Sequence, residues 1–302
     1  MADLTIELFG STLKNPAMNA SGTLGYGKEI EPLWKVDILG AYVTKGLSLL
    51  PHHGNPPPRL WEERSALINS IGLQNVGVDR FFADYFPLFQ KRQTPIIVNF
   101  FGFSDEEYVR CAERIEPHPL IAALEINLSC PNIKKGGICL GKEAQGVFGI
   151  ISRVKQVTPL PLIAKLTPEV NDIVEIARAA AEAGADGITV LNTMPASAVD
   201  LRTGKMAIRG GLSGPPLKPM ALKAVADITQ ALPLLPVIGA GGIMNASDVL
   251  EFLMVGACAV QVGTASLVDP FAIPHIIDGL NRHLDARNIL SIRQLIGAAR
   301  AR

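Results

Sequence analysis

The sequence predicts an α/β protein, a (β/α)8 TIM barrel with an N-terminal strand or hairpin and long loops over the carboxyl-end mouth. Three observations carry that expectation. A unit recurs: Gly40-Ala41-Tyr42-Val43-Thr44-Lys45, Gly184-Ala185-Asp186-Gly187-Ile188-Thr189 and Gly256-Ala257-Cys258-Ala259-Val260-Gln261 each pass from Gly-Ala through a β-branched residue to a polar end. Amphipathic helices precede the last two copies. Further short apolar runs, bounded by Pro, Gly or polar residues, fit between the copies as buried parallel strands.

In chain order, Leu4 to Phe9 alternates apolar and polar before Gly10-Ser11, as an N-terminal strand or hairpin would. Met18 centres the first barrel strand and Val43 the second. Pro95 to Asn99, Ile121 to Asn127, Pro161 to Lys165, Ile188, Leu235 to Gly239 and Val260 supply the rest, eight in all. Helices are expected near 78–90, 104–115, 143–157, 171–183, 217–231, 245–255 and 270–284. Asp172 with Glu175 offers a capping box, and Ile173, Ile176, Ala177 and Ala180 form one apolar face before Gly184. Val249, Leu250, Leu253 and Met254 are expected to face inward, with Gly256 as the stop. The longest inter-strand stretches, 46–77 and 192–216, are rich in Pro, Gly or polar residues and should fold over the barrel mouth. Residues 1–302 are read as one domain, a length that a single α/β barrel can fill.

Composition removes several functions. Lys+Arg 28 balance Asp+Glu 28, so no broad basic footprint for nucleic acid exists. No apolar run reaches the roughly 18 residues of a membrane span, and Met1-Ala2-Asp3-Leu4 lacks the features of a signal peptide. A reducing cytoplasm is the expected location. None of Cys111, Cys130, Cys139 and Cys258 forms a Cys-x-x-Cys pair, so neither a metal nor an iron–sulfur site is expected in this chain.

The chemistry gathers where strands end. Those ends read Ser21, Lys45, Asn99, Asn127, Lys165, Asn192-Thr193, Gly241-Gly242 and Gly263-Thr264. Lysines at strand ends are usually surface groups, but two on separate strands aimed into one mouth make a charged site. The glycine loops after strands seven and eight fit the phosphate site of this fold, because backbone amides can approach an anion there. The run Ala123 to Leu128 breaks into Ser129-Cys130-Pro131-Asn132, a cluster able to hold a flat polar ring beside one ionisable sulfur. Cys130 is either a buried inert thiol or a base, and its polar neighbours with the two lysines favour the base. Asn69 to Asn75 is a turn by composition. Lys134-Lys135-Gly136-Gly137 reads as a solvated turn or a movable lid.

Along nearly its whole length the chain resembles the class 1 dihydroorotate dehydrogenases, most of all their NAD-linked subclass, 1B. The motifs that carry the resemblance are Asn69-Ser70-Ile71-Gly72-Leu73, Asn127 to Asn132, Ile188 to Thr193, Gly211-Leu212-Ser213-Gly214-Pro215, Gly239 to Gly242 and Gly263-Thr264. The resemblance implies FMN in the barrel and oxidation of dihydroorotate to orotate in pyrimidine synthesis. It makes Cys130 the catalytic base. It makes Lys45, Asn69, Ser70, Ile71, Gly72, Leu73, Asn127, Asn132, Asn192 and Thr193 substrate contacts. It makes Ser21, Lys45, Gly46, Asn99, Asn127, Lys165, Leu191, Gly214, Gly241, Gly242, Gly263 and Thr264 flavin contacts, with Lys165 near the N1–O2 edge. Leu191 stands where Val or Ile is usual. Ile71 and Gln74 stand where the fumarate-using subclass has Met and Pro. The resemblance further implies a homodimer core and a partner subunit carrying FAD and [2Fe–2S], together a heterotetramer. No Gly-x-Gly-x-x-Gly fingerprint offers a nicotinamide site within this chain. A rival without flavin is a Schiff-base lyase built on Lys165.

Overall fold

In the computed structural model, which describes residues 2–128, 134–135 and 138–300, short apolar runs pair side by side because each is buried on both faces. They are β1 (Ala17–Asn19), β2 (Tyr42–Val43), β3 (Ile96–Phe100), β4 (Ile121–Asn127), β5 (Leu162–Lys165), β6 (Gly187–Val190), β7 (Val237–Ala240) and β8 (Ala259–Val262). Their order in the sheet is β1-β8-β7-β6-β5-β4-β3-β2, with every pairing parallel. Between the two outer strands a side chain completes the ring. Asn19 Nδ2 donates to Val43 O at 2.8 Å, and Val43 N donates to Asn19 Oδ1 at 3.0 Å. The eight strands and the expected barrel therefore hold.

Helices connect the strands and pack outside them. Their starts follow from their caps: Ser104 Oγ accepts from Glu107 N, and Asp172 Oδ1 accepts from Val174 N and Glu175 N. Asn245 and Asp248 form a full capping box at the helix Ala246–Met254. Gly184 (φ 100°) and Gly256 (φ 114°) end their helices in the left-handed conformation that glycine adopts without strain. Met254 turns outward rather than inward, its place on the buried face being taken by Phe252. The helix expected over 78–90 is two helices, Val78–Asp84 and Phe86–Arg92, because Pro87 fits only a first turn.

The amino-terminal end is plugged by the expected hairpin, Ile6–Leu8 with Ser11–Leu13, which buries Ile6, Leu8 and Leu13. At its turn, Phe9 fills the space where a Cβ on Gly187 would lie, 2.6 Å away. Over the opposite end, the two stretches read as loops pair into a four-stranded antiparallel sheet. Its strands run Met194–Asp200, Lys205–Ser213, Ala66–Asn69 and Leu60–Glu63 in that spatial order. Ile68, Ala198 and Ile208 give it a small apolar core of its own.

Candidate active site

The barrel interior carries one buried polar network. Glu125 is fully buried, and its Oε1 accepts from Asn99 Nδ2 at 2.7 Å. Its Oε2 accepts from Thr189 Oγ1 at 2.7 Å and from Gln261 Nε2. Lys165 Nζ donates to Gln261 Oε1 at 2.8 Å and lies 3.5 Å from Glu125 Oε1. Five strands thus contribute to one cluster, and each buried polar group leans on the next. One atom is left over. Asn99 Oδ1 is buried and meets no donor among the described residues. A Cβ on Gly46 would sit 2.9 Å from it and cover it.

Above this layer lies a rim of amides. Asn192 Nδ2 donates to Asn127 Oδ1 at 3.2 Å, and Thr193 N donates to Asn192 Oδ1 at 2.8 Å. Tyr108 Oη donates to the Asn127 carbonyl at 2.7 Å. From the antiparallel sheet, Asn69 Nδ2 donates to Gly211 O at 3.2 Å. A Cβ on Gly211 would lie 2.1 Å from Thr193 Oγ1, and one on Gly210 would lie 1.9 Å from Asn69 O. These two glycines let the strand Lys205–Ser213 lie close against Asn69 and Thr193. Ser70 to Leu73 follow as a tight loop in which Gly72 and Leu73 both have positive φ. Asn55 holds this loop at Ser70 and Ile71, and Asn75 holds it at Leu73.

Lys45 is half-buried, and its ammonium is pushed below the usual lysine value by that burial and by the Arg59 charge, with Glu29 opposing. Its Cγ passes 3.9 Å from where a Cβ on Gly22 would be, next to Ser21. On the far side, Gly241 (φ 121°) and Gly242 (φ 73°) turn sharply beneath the helix Lys218–Ala231. A Cβ on Gly242 would stand 2.6 Å from Lys218 N. Thr264 Oγ1 donates to Ser213 Oγ at 2.8 Å, which brings the Gly214 turn (φ 106°) against the end of β8. Gly263 faces Ala20 and Thr23. Leu191 is joined to Val190 by a cis peptide bond, and its N–H donates to Ala240 O.

The structure therefore gathers Asn69, Asn127, Asn192 and Thr193 on one side. It sets Gly46, Asn99 and Lys165 in or over the buried network, and Gly214, Gly263 and Thr264 together on another side. Cys130, Asn132, Ser129 and the Gly136-Gly137 turn lie outside the described residues. Sequence reading missed Glu125, Thr189, Gln261 and Asn19. The signal for Glu125 was present: a carboxylate in the middle of an otherwise apolar strand needs a buried partner. No group of three or more His, Cys, Asp or Glu side chains suited to a metal occurs among the described residues. No helix among them is long and apolar enough to cross a membrane.

The residues present fit a flat heterocycle bearing a phosphate. Asn99 Oδ1 offers a lone buried acceptor to a ring N–H. Lys165 offers a buried positive charge, and the glycine turns after β7 and β8 leave backbone exposed to an anion.

Comparison with known proteins gives the same direction. A family model described as dihydroorotate dehydrogenase matches residues 3–284. Two curated relatives are named dihydroorotate dehydrogenase B (NAD(+)), catalytic subunit. The one from Geotalea uraniireducens is 46% identical over 299 residues, and the one from Desulforamulus reducens is 48% identical over 300 residues. Each alignment covers 98% of both chains. Among solved structures, a DHODH from Eimeria tenella in complex with ferulenol superposes with a TM-score of 0.80. It covers 99% of this chain and 89% of its own at 22% identity, a likeness of fold.

Proposed function

The chain belongs to the dihydroorotate dehydrogenase family, and from that membership we propose that it oxidises (S)-dihydroorotate to orotate as the catalytic subunit of an NAD-linked enzyme. The observation that carries this is the 46–48% identity to catalytic subunits of that name across 98% of each chain. Two alternatives fare worse. The relatives' names point to NAD rather than to fumarate as the final acceptor. A Schiff-base lysine needs its nitrogen open to a substrate carbonyl, whereas Lys165 Nζ is engaged by Gln261 and Glu125.

The reaction removes a proton from C5 and a hydride from C6 of the substrate. Cys130 is the base, a role open to a thiol whose pKa is tuned by its surroundings. Cys111 and Cys258 are poor rivals, since burial pushes both thiols up to about 12. Asn69, Asn127, Asn132, Asn192 and Thr193, with the Ser70 to Leu73 loop and Lys45, hold the substrate's amide, imide and carboxylate edges. The amides of Asn69, Asn127 and Asn192, held by their own hydrogen bonds, orient the ring before the chemistry begins. FMN, when bound, supplies the hydride acceptor. Ser21, Lys45, Gly46, Asn99, Asn127, Lys165, Leu191, Gly214, Gly241, Gly242, Gly263 and Thr264 would hold it, with Lys165 giving electrostatic support. Electrons leave through a partner carrying FAD and [2Fe–2S], on a homodimeric core. The name catalytic subunit, borne by the relatives, supports a partner of some kind.

The visible spectrum tests the reading. The purified protein should be yellow, should bleach on adding dihydroorotate without oxygen, and should release FMN on heating. The isolated chain should reduce dyes but not NAD until the partner is added. A colourless protein, or one indifferent to dihydroorotate, would refute it.

A further inference from the structure

We propose that Glu125 is a positioning residue for the flavin pocket: by accepting from Asn99 and Gln261 at once, it fixes the direction of both amides and the place of Lys165. The inference rests on the FMN reading above and concerns a residue that touches neither flavin nor substrate.

Glu125 is fully buried, three of the roughly four acceptor sites of its carboxylate are taken by Asn99, Thr189 and Gln261, and the Lys165 ammonium stands 3.5 Å from the remaining side of Oε1. It therefore has no capacity left for a ligand and acts only through its neighbours. A carboxylate only accepts, so each amide around it must present its NH2 group. For Asn99 this decides the flip: Nδ2 turns to Glu125, and Oδ1 turns away as a buried acceptor without a donor. For Gln261 the same logic turns Oε1 to Lys165 Nζ.

An acceptor held this way welcomes a ring N–H and repels a carbonyl oxygen. Oxidised FMN carries a single ring N–H, the imide at N3. A Gln in place of Glu125 would bring an NH2 of its own against Asn99 or Gln261. Asn99 is the amide that turns over, because a turned Gln261 would set its NH2 against the Lys165 ammonium, and the turned Asn99 sets a donor toward the flavin.

The test reconstitutes apo-protein with FMN and with 3-methyl-FMN, which lacks that N–H, and follows binding by quenching of flavin fluorescence. Wild type should bind 3-methyl-FMN about 10–100-fold more weakly, the range for a buried polar group left unpaired. In Glu125→Gln the preference should shrink to about threefold or less at unchanged far-ultraviolet circular dichroism. The midpoint potential of bound FMN should also move positive, because the Lys165 charge loses its counter-charge. Thr189→Val removes a hydrogen bond to the same carboxylate without freeing Asn99, so it should lower thermal stability and keep the preference. That separates positioning from mere support of the barrel. Glu125→Asp keeps the charge and withdraws it by one methylene. It should restore the potential and only part of the preference, and it carries the test if Glu125→Gln does not fold.

Equal binding of the two flavins by wild type would overturn the proposal without any variant. So would full retention of the preference in a folded Glu125→Gln or Glu125→Asp protein. A wild-type chain that takes up no flavin at all would overturn the functional reading, and this inference with it.

Discussion

The two ends of this barrel use the same device to opposite effect. At the floor, Gly256 leaves room that the protein fills itself: a Cβ there would lie 1.5 Å from Arg300 Nη2. The Arg300 guanidinium donates to the carbonyls of Val255, Thr229 and Gly256, so its charge is spent on helix ends and loop. At the mouth, Gly46 leaves bare a buried acceptor, Asn99 Oδ1, which nothing in the described chain satisfies. A glycine beside a polar group is thus no mark of a site by itself. What separates the ends is whether the polar group has been paid off from within.

The largest expected effect lies at the mouth. Cys130→Ala should slow oxidation of dihydroorotate by roughly 10²–10⁴-fold, the range for loss of a general base. Orotate and FMN binding should persist. Stopped-flow bleaching at the wild-type rate would show that another group takes the proton and that the mouth owes its chemistry elsewhere.

Paired glycine substitutions probe the comparison directly. Gly46→Ala would cover Asn99 Oδ1 and should weaken FMN binding by about 10–100-fold, and, because its methyl also meets the buried Phe101 ring at 3.2 Å, should cost the apo-protein about 1 kcal/mol. Gly256→Ala would push on Arg300 at a residue of positive φ. It should cost about 1–3 kcal/mol in urea denaturation and leave FMN affinity alone. If the two variants behaved alike, the contrast between the ends would collapse.

A smaller effect is expected at Lys45. Its folded pKa is lowered from the ordinary 10.5, chiefly by burial and then by Arg59. A depressed folded pKa means that the charged form is penalised by folding. The full stability is present above pH 10.5 and is lost as pH falls through the folded value. Lys45→Met should therefore raise the urea midpoint of the apo-protein at pH 7, and the gain should fade toward pH 10.5. A gain that is independent of pH would point to packing rather than charge. The smallest effect is at the structural thiols. Cys111 and Cys258, both raised to about 12, should escape alkylation at pH 8, as peptide mapping would reveal.

Much of this was legible before the fold was known. Strand β4 runs over Ile121–Asn127 as expected, because a buried parallel strand is a continuous apolar run with a polar end. Lys45, Asn99, Asn127 and Lys165 were legible for the same reason, as polar residues closing such runs. Glu125, Thr189 and Gln261 were not, since a polar residue inside a run acquires meaning only from partners on other strands. The antiparallel sheet was equally hidden. Met194–Asp200 has no alternation of apolar and polar residues, and its pairing with Lys205–Ser213 is irregular between Ala198 and Val199.

The place of β1 has a consequence for how the protein is made. Ala17 pairs with Val260, and on its other flank β1 is tied toward β2 only by the Gly40 N–H on Ala17 O and by the Asn19 side chain. As the chain emerges from the ribosome, β1 leaves before every other barrel strand, yet its ladder partner β8 leaves after all of them. Until β8 appears, β1 has an open edge of apolar residues, the kind of surface that chaperones and neighbouring nascent chains engage. A ribosome-arrested chain that stops short of Ala259 should yield to protease near Ala17. One that extends past Val262, with enough linker to clear the exit tunnel, should resist.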